Sequence, residues 1–561
     1  MISSNKIIVQ QIVESCIANG VTKAVISPGS RNAPLSIAFD ESSAIETLVI
    51  HDERSAGFFA LGLSEQLNQV VVLICTSGSA LLNYYPAIAE AHYREIPLLV
   101  ISADRPKEWI NHGDGQTIVQ NNVFTNHIKG ELSLSDCDSS QEYITSSKSK
   151  INQLFSESLS SWMGPFHINL SLSEPLYETE NINNNQIDII KRDNFSYQFC
   201  NDDRLYLENS LNNANIIVLC GQSSMNERLN RFLVDFSDNT NVIVIVENTS
   251  NQFHNKFIHC IDRTLCLIPE DQISNYIPDV LITIGGAIVS KKIKALFRNN
   301  KPNKHIRVSN SFPEMDTYRS LSKYFNCSSE IFFEYLKGIN INRNTSNFGS
   351  KWKQIDYIAI DKTQQLRNAF PYSDLFVFDL INKNLPKDCY IHMANSSVVR
   401  YFQLFDPSKG ECYFSNRGTS GIEGSTSTAI GAAYAVPQKQ HLLITGDISF
   451  FYDSNALWNH YIGSNIKIIL INNGGGGIFN IIDGSSSSKQ REKYFEAAHN
   501  YSAEHLCKCY NIDYQKATNK DGLEEQLPSF LANNNSGLFE IFTPGELNAD
   551  VLKSYFKDLL T

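Results

Sequence analysis

An acid and two amides stand where two apolar runs of this chain stop. His441-Leu-Leu-Ile-Thr445 ends in Gly446-Asp447-Ile448-Ser449, and Ile466-Lys-Ile-Ile-Leu-Ile471 ends in Asn472-Asn473 and a run of glycines that includes Gly475. Asp447 can offer a carboxylate oxygen, Asn473 a carbonyl oxygen, and the glycine loop a bare backbone close to an anion. A divalent ion such as Mg²⁺ takes oxygen ligands in near-octahedral geometry and completes its shell with phosphate and water. The pattern therefore predicts a diphosphate held through a metal ion, against the plainer alternative of a Gly-Asp turn beside a glycine loop with no ligand.

Other polar loops follow apolar runs in the same way. Ser27-Pro-Gly-Ser30-Arg31 predicts a tight turn at Pro28 and Gly29 that aims a hydroxyl and a guanidinium into a crevice. Arginine meets a carboxylate bidentately, which suits an acidic substrate; a surface turn with a solvated Arg31 is the alternative. His51-Asp-Glu53-Arg54 sits at a strand-to-helix junction, where four polar residues read by themselves as a helix cap. Thr76-Ser77-Gly78-Ser79, Ala103-Asp-Arg105-Pro106 and Gly113-Asp-Gly-Gln116 each lie beyond a strand or in the loop it feeds. Arg105 is a second carboxylate clamp, unless it only pairs with Asp104 in a local salt bridge worth little, and Gln116 is a neutral donor and acceptor.

In the last third of the chain, Asn395-Ser396-Ser-Val-Val-Arg400 puts Ser396 and Arg400 one above the other if the segment is helical. Ser415-Asn-Arg417-Gly418 adds a cation ahead of Ser420-Gly-Ile422-Glu-Gly424. Arg31, Arg105, Arg400 and Arg417 thus stand at strand-end loops of an acidic protein. Any one of them could be a scattered, solvated arginine. Together they favour a polyanionic substrate, because clustered cations offset the desolvation of several carboxylates.

The elements that must position these loops are short apolar runs alternating with helical ones. The first set comprises Ala24 to Ile26, Leu48 to Ile50, Val70 to Cys75, Leu98 to Ile101 and Phe166 to Leu170, with helices predicted over Ala56 to Leu67 and Ala80 to Tyr93. A second comprises Ile216 to Cys220, Val242 to Val246, Val280 to Ile284 and Ile306 to Val308. A third comprises Tyr390 to Met393, Cys412 to Ser415, His441 to Thr445, Ile466 to Ile471 and Leu538 to Phe542, with a helix expected from Phe451 to Tyr461. The alternation predicts α/β architecture: three tandem, doubly wound, mostly parallel domains, over 1–180, 200–337 and 352–561. Residues 178–200 and 338–350 read as linkers. No Gly-x-Gly-x-x-Gly opens a helix of the middle set, so a dinucleotide is not supported there.

At 561 residues the chain is too long for one core, and 42% hydrophobic content allows several. A net charge of −12 argues against a general nucleic-acid binder. The N-terminus has no secretory pattern, and no apolar run reaches the ~18 residues of a membrane helix. A soluble, cytoplasmic protein is expected. The twelve cysteines have no paired framework, and Cys507 with Cys509 lacks a second zinc-spaced pair, so buried thiols in a reducing compartment are expected.

The order strand, Gly-Asp, helix, strand, Asn-Asn resembles the cofactor signature of thiamine-diphosphate enzymes. One departure is that Ile448 and Ser449 follow the Asp, where many of those enzymes have Gly. The motifs SPGSR, HDERSAG, TSGSA, ADRP, GPFHINLSLSEPLY, NSSVVR, SNRGTSGIEG, GDISFFYDSNAL and NNGGGGIF resemble, more narrowly, the menaquinone-pathway branch of that family. The likeness covers nearly the whole chain and is thin only in the middle third, where Gly285-Gly286 through Lys291 aligns.

That resemblance implies a transferase that decarboxylates 2-oxoglutarate on thiamine diphosphate with Mg²⁺ or Mn²⁺ and adds the succinyl carbanion equivalent to isochorismate. It implies Asp447, Asn473 and Gly475 as metal ligands. It implies Thr76, Ser77, Gly78, Asn395, Ile422, Gly446, Ile448 and Ser449 at the cofactor, with Ile422 bending it. Glu53 would hydrogen-bond the aminopyrimidine, its pKa raised by desolvation. Ser30, Arg31, Arg105, Gln116 and Lys291 would meet isochorismate, with Lys292 an alternative to Lys291. Ser396 and Arg400 would hold the succinyl carboxylate, Arg417 would serve the anionic intermediate, and Phe479 would wall the pocket. Many family decarboxylases place a His pair after the Thr-Ser-Gly loop. Here His112 is alone, and a site poor in proton donors preserves a carbanion for a second substrate. The resemblance also implies a homodimer or homotetramer with the site at the subunit interface.

Two other readings stay open at this stage. One is an acetolactate-type carboligase acting on pyruvate, which would carry a flavin and leave Ser396 and Arg400 without a carboxylate to hold. The other is a non-catalytic metabolite-binding regulator, which would not need both Glu53 and the Asp447/Asn473 pair.

Overall fold

The computed structural model describes residues 2–160, 162–182, 197–339, 341, 346–407, 410–481 and 488–561. The chain forms two compact units. One comprises Met1–Phe195, Asn416–His441 and Ser449–Ile466; the other comprises Ser196–Ser415, Leu442–Ile448 and Lys467–Thr561.

The first unit contains β1 (Ile2–Ser4), β2 (Lys23–Ile26), β3 (Glu46–Val49), β4 (Val71–Cys75), β5 (Leu98–Asp104), β6 (Glu131–Ser135), β7 (Phe166–Ser171) and β8 (Thr179–Asn181). β1 and β8 form an antiparallel pair. The others form one sheet in the order β3-β2-β4-β5-β7-β6, parallel at every pairing. β4, β5 and β7 are buried along their whole length, as strands covered on both faces must be. The helix Glu53–Leu67, buried from Ser55 to Ser64, packs along the helix Ser425–Ala435.

The second unit holds two sheets. β9 (Ile216–Cys220), β10 (Val242–Val246), β11 (Val280–Ile284), β12 (Lys304–Val308) and β13 (Leu321–Phe325) pair in the order β10-β9-β11-β12-β13, all parallel. Successive residues of these strands enter two different cores: Ile216, Val218, Val244 and Ile282 in one, Ile217, Leu219, Ile243 and Leu281 in the other. Alternate residues point to opposite faces of a strand. Helices therefore cover both faces, and this sheet is doubly wound. The last sheet contains β14 (Tyr390–Met393), β15 (Cys412–Phe414), β16 (His441–Gly446), β17 (Ile466–Asn472), β18 (Tyr514–Ala517) and β19 (Gly537–Phe542), in the order β15-β14-β16-β17-β19-β18. β16 and β17 are neighbours, which puts Asp447 and Asn473 at adjacent strand ends.

The structure corrects several sequence expectations. The helix expected from Phe451 to Tyr461 instead runs from Asp447 to Tyr452 and is followed by a 3₁₀ turn, Ser454–Leu457. The chain leaves the helix at Asp453, whose φ of −107° and ψ of 24° are not helical and whose carboxylate accepts the Ser427 N–H and Oγ. The helix drawn from Ala80 to Tyr93 is two, Ser79–Asn83 and Tyr85–Arg94, because Pro86 has no N–H to continue the first. β1, β6, β8, β13 and β18 lacked the apolar runs by which the other strands were read. Residues 179–181, inside the first expected linker, pair with the N-terminus; 183–196 of that linker, and 340 and 342–345 of the second, lie outside the described residues. Among the described residues no helix is long and apolar enough to cross a membrane.

Candidate active site

In the second unit, Asp447 follows β16 directly and is buried. Its Oδ1 accepts the N–H of Ile448 at 2.7 Å and its Oδ2 accepts the N–H of Gly475 at 2.9 Å. His499 Nε2 stands 3.3 Å from the same Oδ2. Burial pushes this carboxyl up, against the N–H groups and His499 that favour its charged form. Asn473 donates its Nδ2 to Asp374 Oδ2 at 3.0 Å. An amide committed through its nitrogen keeps its carbonyl oxygen for another partner. Among the described residues no group of three or more His, Cys, Asp and Glu is gathered to hold a metal. One carboxylate and one amide oxygen fit a hard divalent ion that takes its remaining ligands from phosphate and water.

The same unit gathers Arg400 and Ser396, expected at the succinyl carboxylate, with Lys291 and Lys292, one of them expected at isochorismate. Lys291, Lys292, Arg400, Ser397, Glu247 and Asp262 line a cavity of about 360 Å³. Lys292 Nζ lies 3.9 Å from the centre of the Phe556 ring, a cation–π contact. Burial lowers the pKa of Arg400, while Asp262 and Glu247 act to raise it. Ser396 takes a left-handed conformation (φ 69°) just before the helix Ser397–Phe402, and its carbonyl accepts Arg400 Nη1 at 2.6 Å. Ser396 is therefore tied to Arg400 through its backbone. Asn395 beside it is buried. Ile478 and Ile481 line the cavity, whereas Phe479 packs against Phe495 with ring centres 5.6 Å apart.

In the first unit the predicted loops converge. Glu53 opens the helix Glu53–Leu67 behind Asp52, whose carboxylate accepts the Ser55 N–H. Burial raises the Glu53 carboxyl and the neighbouring Asp52 charge adds to this, while its own N–H and Asn83 oppose them. Gly78 has φ +85°, and a Cβ there would come within 3.2 Å of the Gln116 backbone, so the Thr76–Ser77–Gly78 loop lies directly under Gln116. The Gly78 N–H is taken by the buried Gln120, whose Nε2 reaches Asn169 at 2.8 Å.

Arg105 Nη1 lies 3.4 Å from Asp114, while the Asp104 carboxylate accepts the Arg105 backbone N–H and the Asn169 Nδ2, so the local Asp104–Arg105 ion pair does not form. Arg31 is buried, donates to Leu172 O at 2.9 Å and pairs with Glu174 at 3.1 Å. Burial and the nearby Arg105 charge lower its pKa. Ser30 Oγ is 3.1 Å from the Tyr177 hydroxyl. Arg417 is buried in a loop whose next two residues, Gly418 and Thr419, donate to the Glu90 carboxylate. Ile422 remains partly exposed, and its carbonyl accepts Ser449 Oγ at 2.6 Å.

Sequence reasoning missed Glu90, Gln120, Asp374 and His499. Their local contexts read as an ordinary helix charge, a loop amide, a helix start and a lone histidine. Each gains its partner from a distant segment, and no local spacing carries that information.

Residues 8–127 match the family model for the thiamine pyrophosphate enzyme N-terminal TPP binding domain, and residues 395–541 match the C-terminal TPP binding domain. A Flavobacterium psychrophilum protein named 2-succinyl-5-enolpyruvyl-6-hydroxy-3-cyclohexene-1-carboxylate synthase is 44% identical over 553 residues, 98% of each chain. Proteins of the same name from Christiangramia forsetii and Porphyromonas gingivalis are 42% and 37% identical, covering 98% and 96% of this chain and 98% and 94% of their own.

Proposed function

This chain belongs to the 2-succinyl-5-enolpyruvyl-6-hydroxy-3-cyclohexene-1-carboxylate synthase family of thiamine pyrophosphate enzymes, and from that premise we propose how its residues divide the work. The protein is a thiamine-diphosphate-dependent transferase. It decarboxylates 2-oxoglutarate and joins the remaining succinyl unit to isochorismate, releasing CO₂, in menaquinone biosynthesis. Family membership sets aside the acetolactate-type and regulatory alternatives.

The observation that carries the residue-level reading is the pairing of Asp447 with Gly475 beside Asn473, at the ends of neighbouring strands. Asp447, Asn473 and the Gly475 carbonyl would hold Mg²⁺ or Mn²⁺ and, through it, the diphosphate. Thiamine diphosphate, when bound, supplies the nucleophilic carbon and the electron sink for decarboxylation. Gly446, Ile448, Ser449, Asn395 and Ile422 would hold the cofactor, with Ile422 supplying an apolar side chain. Glu53, with a carboxyl raised by burial, would exchange a proton with a nitrogen of the cofactor. Thr76, Ser77 and Gly78 would also contribute to holding the cofactor.

The cations divide by unit. Arg31, Arg105, Gln116 and Ser30 receive the carboxylates and hydroxyl of isochorismate, and Arg417 steadies the negative charge that develops during reaction. Arg400, with Ser396, receives the distal carboxylate of 2-oxoglutarate. Lys291 rather than Lys292 serves substrate, because Lys292 is engaged with the Phe556 ring. Phe479, its ring packed on Phe495, would back the wall that Ile478 lines. The domains extend over 1–180, 200–337 and 352–561. The working form is a cytoplasmic homodimer or homotetramer with the site at the subunit interface.

The test is to incubate the protein with thiamine diphosphate, Mg²⁺ and 2-oxoglutarate, with and without isochorismate, and follow CO₂ release and isochorismate loss. Sustained turnover that needs both substrates supports the reading. Turnover of pyruvate in their place would overturn it.

A further inference from the structure

The residue that fixes Asn473 is an acid at the start of a helix remote in sequence. Asp374 is buried and begins the helix Asp374–Asn384. Its Oδ2 accepts Asn473 Nδ2 at 3.0 Å, its Oδ1 accepts Thr543 Oγ1 at 2.5 Å, and its own N–H donates to Asn548 Oδ1 at 2.8 Å. Four segments therefore meet at Asp374: the residue after β17 and the residue after β19 at its carboxylate, the last helix at its backbone N–H, and its own helix Asp374–Asn384. The backbone of Asn473 is confined as well, since a Cβ at Gly545 would stand 2.3 Å from its carbonyl oxygen.

An ionised carboxylate only accepts hydrogen bonds. The amide of Asn473 must therefore turn its nitrogen to Asp374 and present its oxygen on the other side. A cation can use only that oxygen, so the rotamer choice decides whether Asn473 is a ligand. We propose that Asp374 is a positioning residue for the metal site, holding the Asn473 amide in the orientation that offers Oδ1 to a divalent cation. The inference rests on the metal reading given above. Partners that orient ligands typically carry about ten- to hundred-fold of metal affinity.

The test measures binding. Thiamine diphosphate is titrated calorimetrically into the full-length protein across a series of Mg²⁺ concentrations, for the parent, Asp374→Ala, Asp374→Asn and Asp447→Ala, with circular dichroism and thermal melts confirming folded variants. Asp374→Ala should need about ten- to hundred-fold more Mg²⁺ for half-saturation. Asp374→Asn keeps an acceptor for Asn473 Nδ2 and can donate to Thr543 Oγ1, so it should recover most of the loss. A folded Asp374→Ala with parental Mg²⁺ dependence, beside an Asp447→Ala that has lost it, overturns the role of Asp374 and leaves the metal site standing. Equal losses in Asp374→Ala and Asp374→Asn overturn the positioning role, because charge alone would then account for the effect. An Asp447→Ala that keeps parental dependence overturns the metal reading and this inference with it. If Asp374→Ala fails to fold, the Asn473→Asp variant decides: its carboxylate facing Asp374 should weaken Mg²⁺ dependence, and unchanged dependence overturns the proposal.

Discussion

The Glu90 carboxylate, on a helix 328 residues away in sequence, accepts the Gly418 N–H at 2.8 Å with Oε1 and the Thr419 N–H at 2.6 Å with Oε2. Thr419 Oγ1 adds a third bond at 2.8 Å. Glu90 is fully buried, whereas Gly418 is half-buried and Thr419 exposed, so losing the acceptor weighs mainly on the Gly418 N–H and on the space left behind. Glu90→Ala should cost about 3 kcal/mol of stability, the typical price of leaving buried partners unsatisfied. Urea unfolding checks it; a loss under about 1 kcal/mol would show that the loop repacks. Because Arg417 precedes Gly418, turnover of the folded variant should also fall.

Glu53→Gln should abolish turnover and leave thiamine diphosphate binding within a few-fold of the parent. Its carboxyl is raised by burial. A carboxyl raised in the folded state binds more protons there than when unfolded, so its ionisation destabilises the fold as pH rises through the folded pKa. The Gln variant should therefore melt higher than the parent at neutral pH and lose that advantage in acid. Near-normal activity would remove Glu53 from the mechanism.

Arg400→Ala should raise KM for 2-oxoglutarate by about ten- to hundred-fold, as loss of a buried charge-assisted pair does, with a much smaller change for isochorismate. Initial rates against each substrate in turn measure the split. Equal effects on both would undo the assignment of Arg400 to the distal carboxylate of 2-oxoglutarate.

Asp453 supplies a pH dependence away from the metal ligands. It is fully buried, accepts the Ser427 N–H at 2.8 Å and Oγ at 2.9 Å, and is nevertheless pushed up to about 6 by burial. Between the ordinary Asp value near 4 and about 6 the folded state holds the extra proton, so stability should fall as pH rises through that window. The total should reach about 3 kcal/mol. Asp453→Asn, which can still bond Ser427 with both atoms, should flatten the slope in urea titrations between those pH values; an unchanged slope would assign it to other groups.

Gly78→Ala places a side chain at φ +85° and within 3.2 Å of the Gln116 backbone. Conformations that only glycine adopts freely cost other residues about 1–3 kcal/mol. The variant should lose stability in that range and raise KM for isochorismate through Gln116. Parental values for both would separate the Thr76–Gly78 loop from Gln116.

Much of this protein was already legible as a string. Runs such as Val71–Cys75 and Ile466–Asn472 are buried on both faces, so nearly every residue in them must be apolar, and such runs reveal parallel strands without any partner being known. Gly446-Asp447 and Asn472-Asn473 were visible for the same local reason: polar residues abruptly end an apolar run. Strands at edges or with one wet face, such as Glu131–Ser135 and Tyr514–Ala517, lacked that signal, and their place comes only from pairing with β7 and β19.

The tertiary structure alone decided which polar groups support the site. Asp374 beside Asn473, Glu90 beneath Gly418 and Gln120 against Gly78 are contacts across 99, 328 and 42 residues of chain. Local sequence fixes which groups a residue can offer; burial and long-range hydrogen bonding fix which of them is used. A buried carboxylate or amide must find a partner wherever the fold brings one, and neither spacing nor periodicity encodes that meeting.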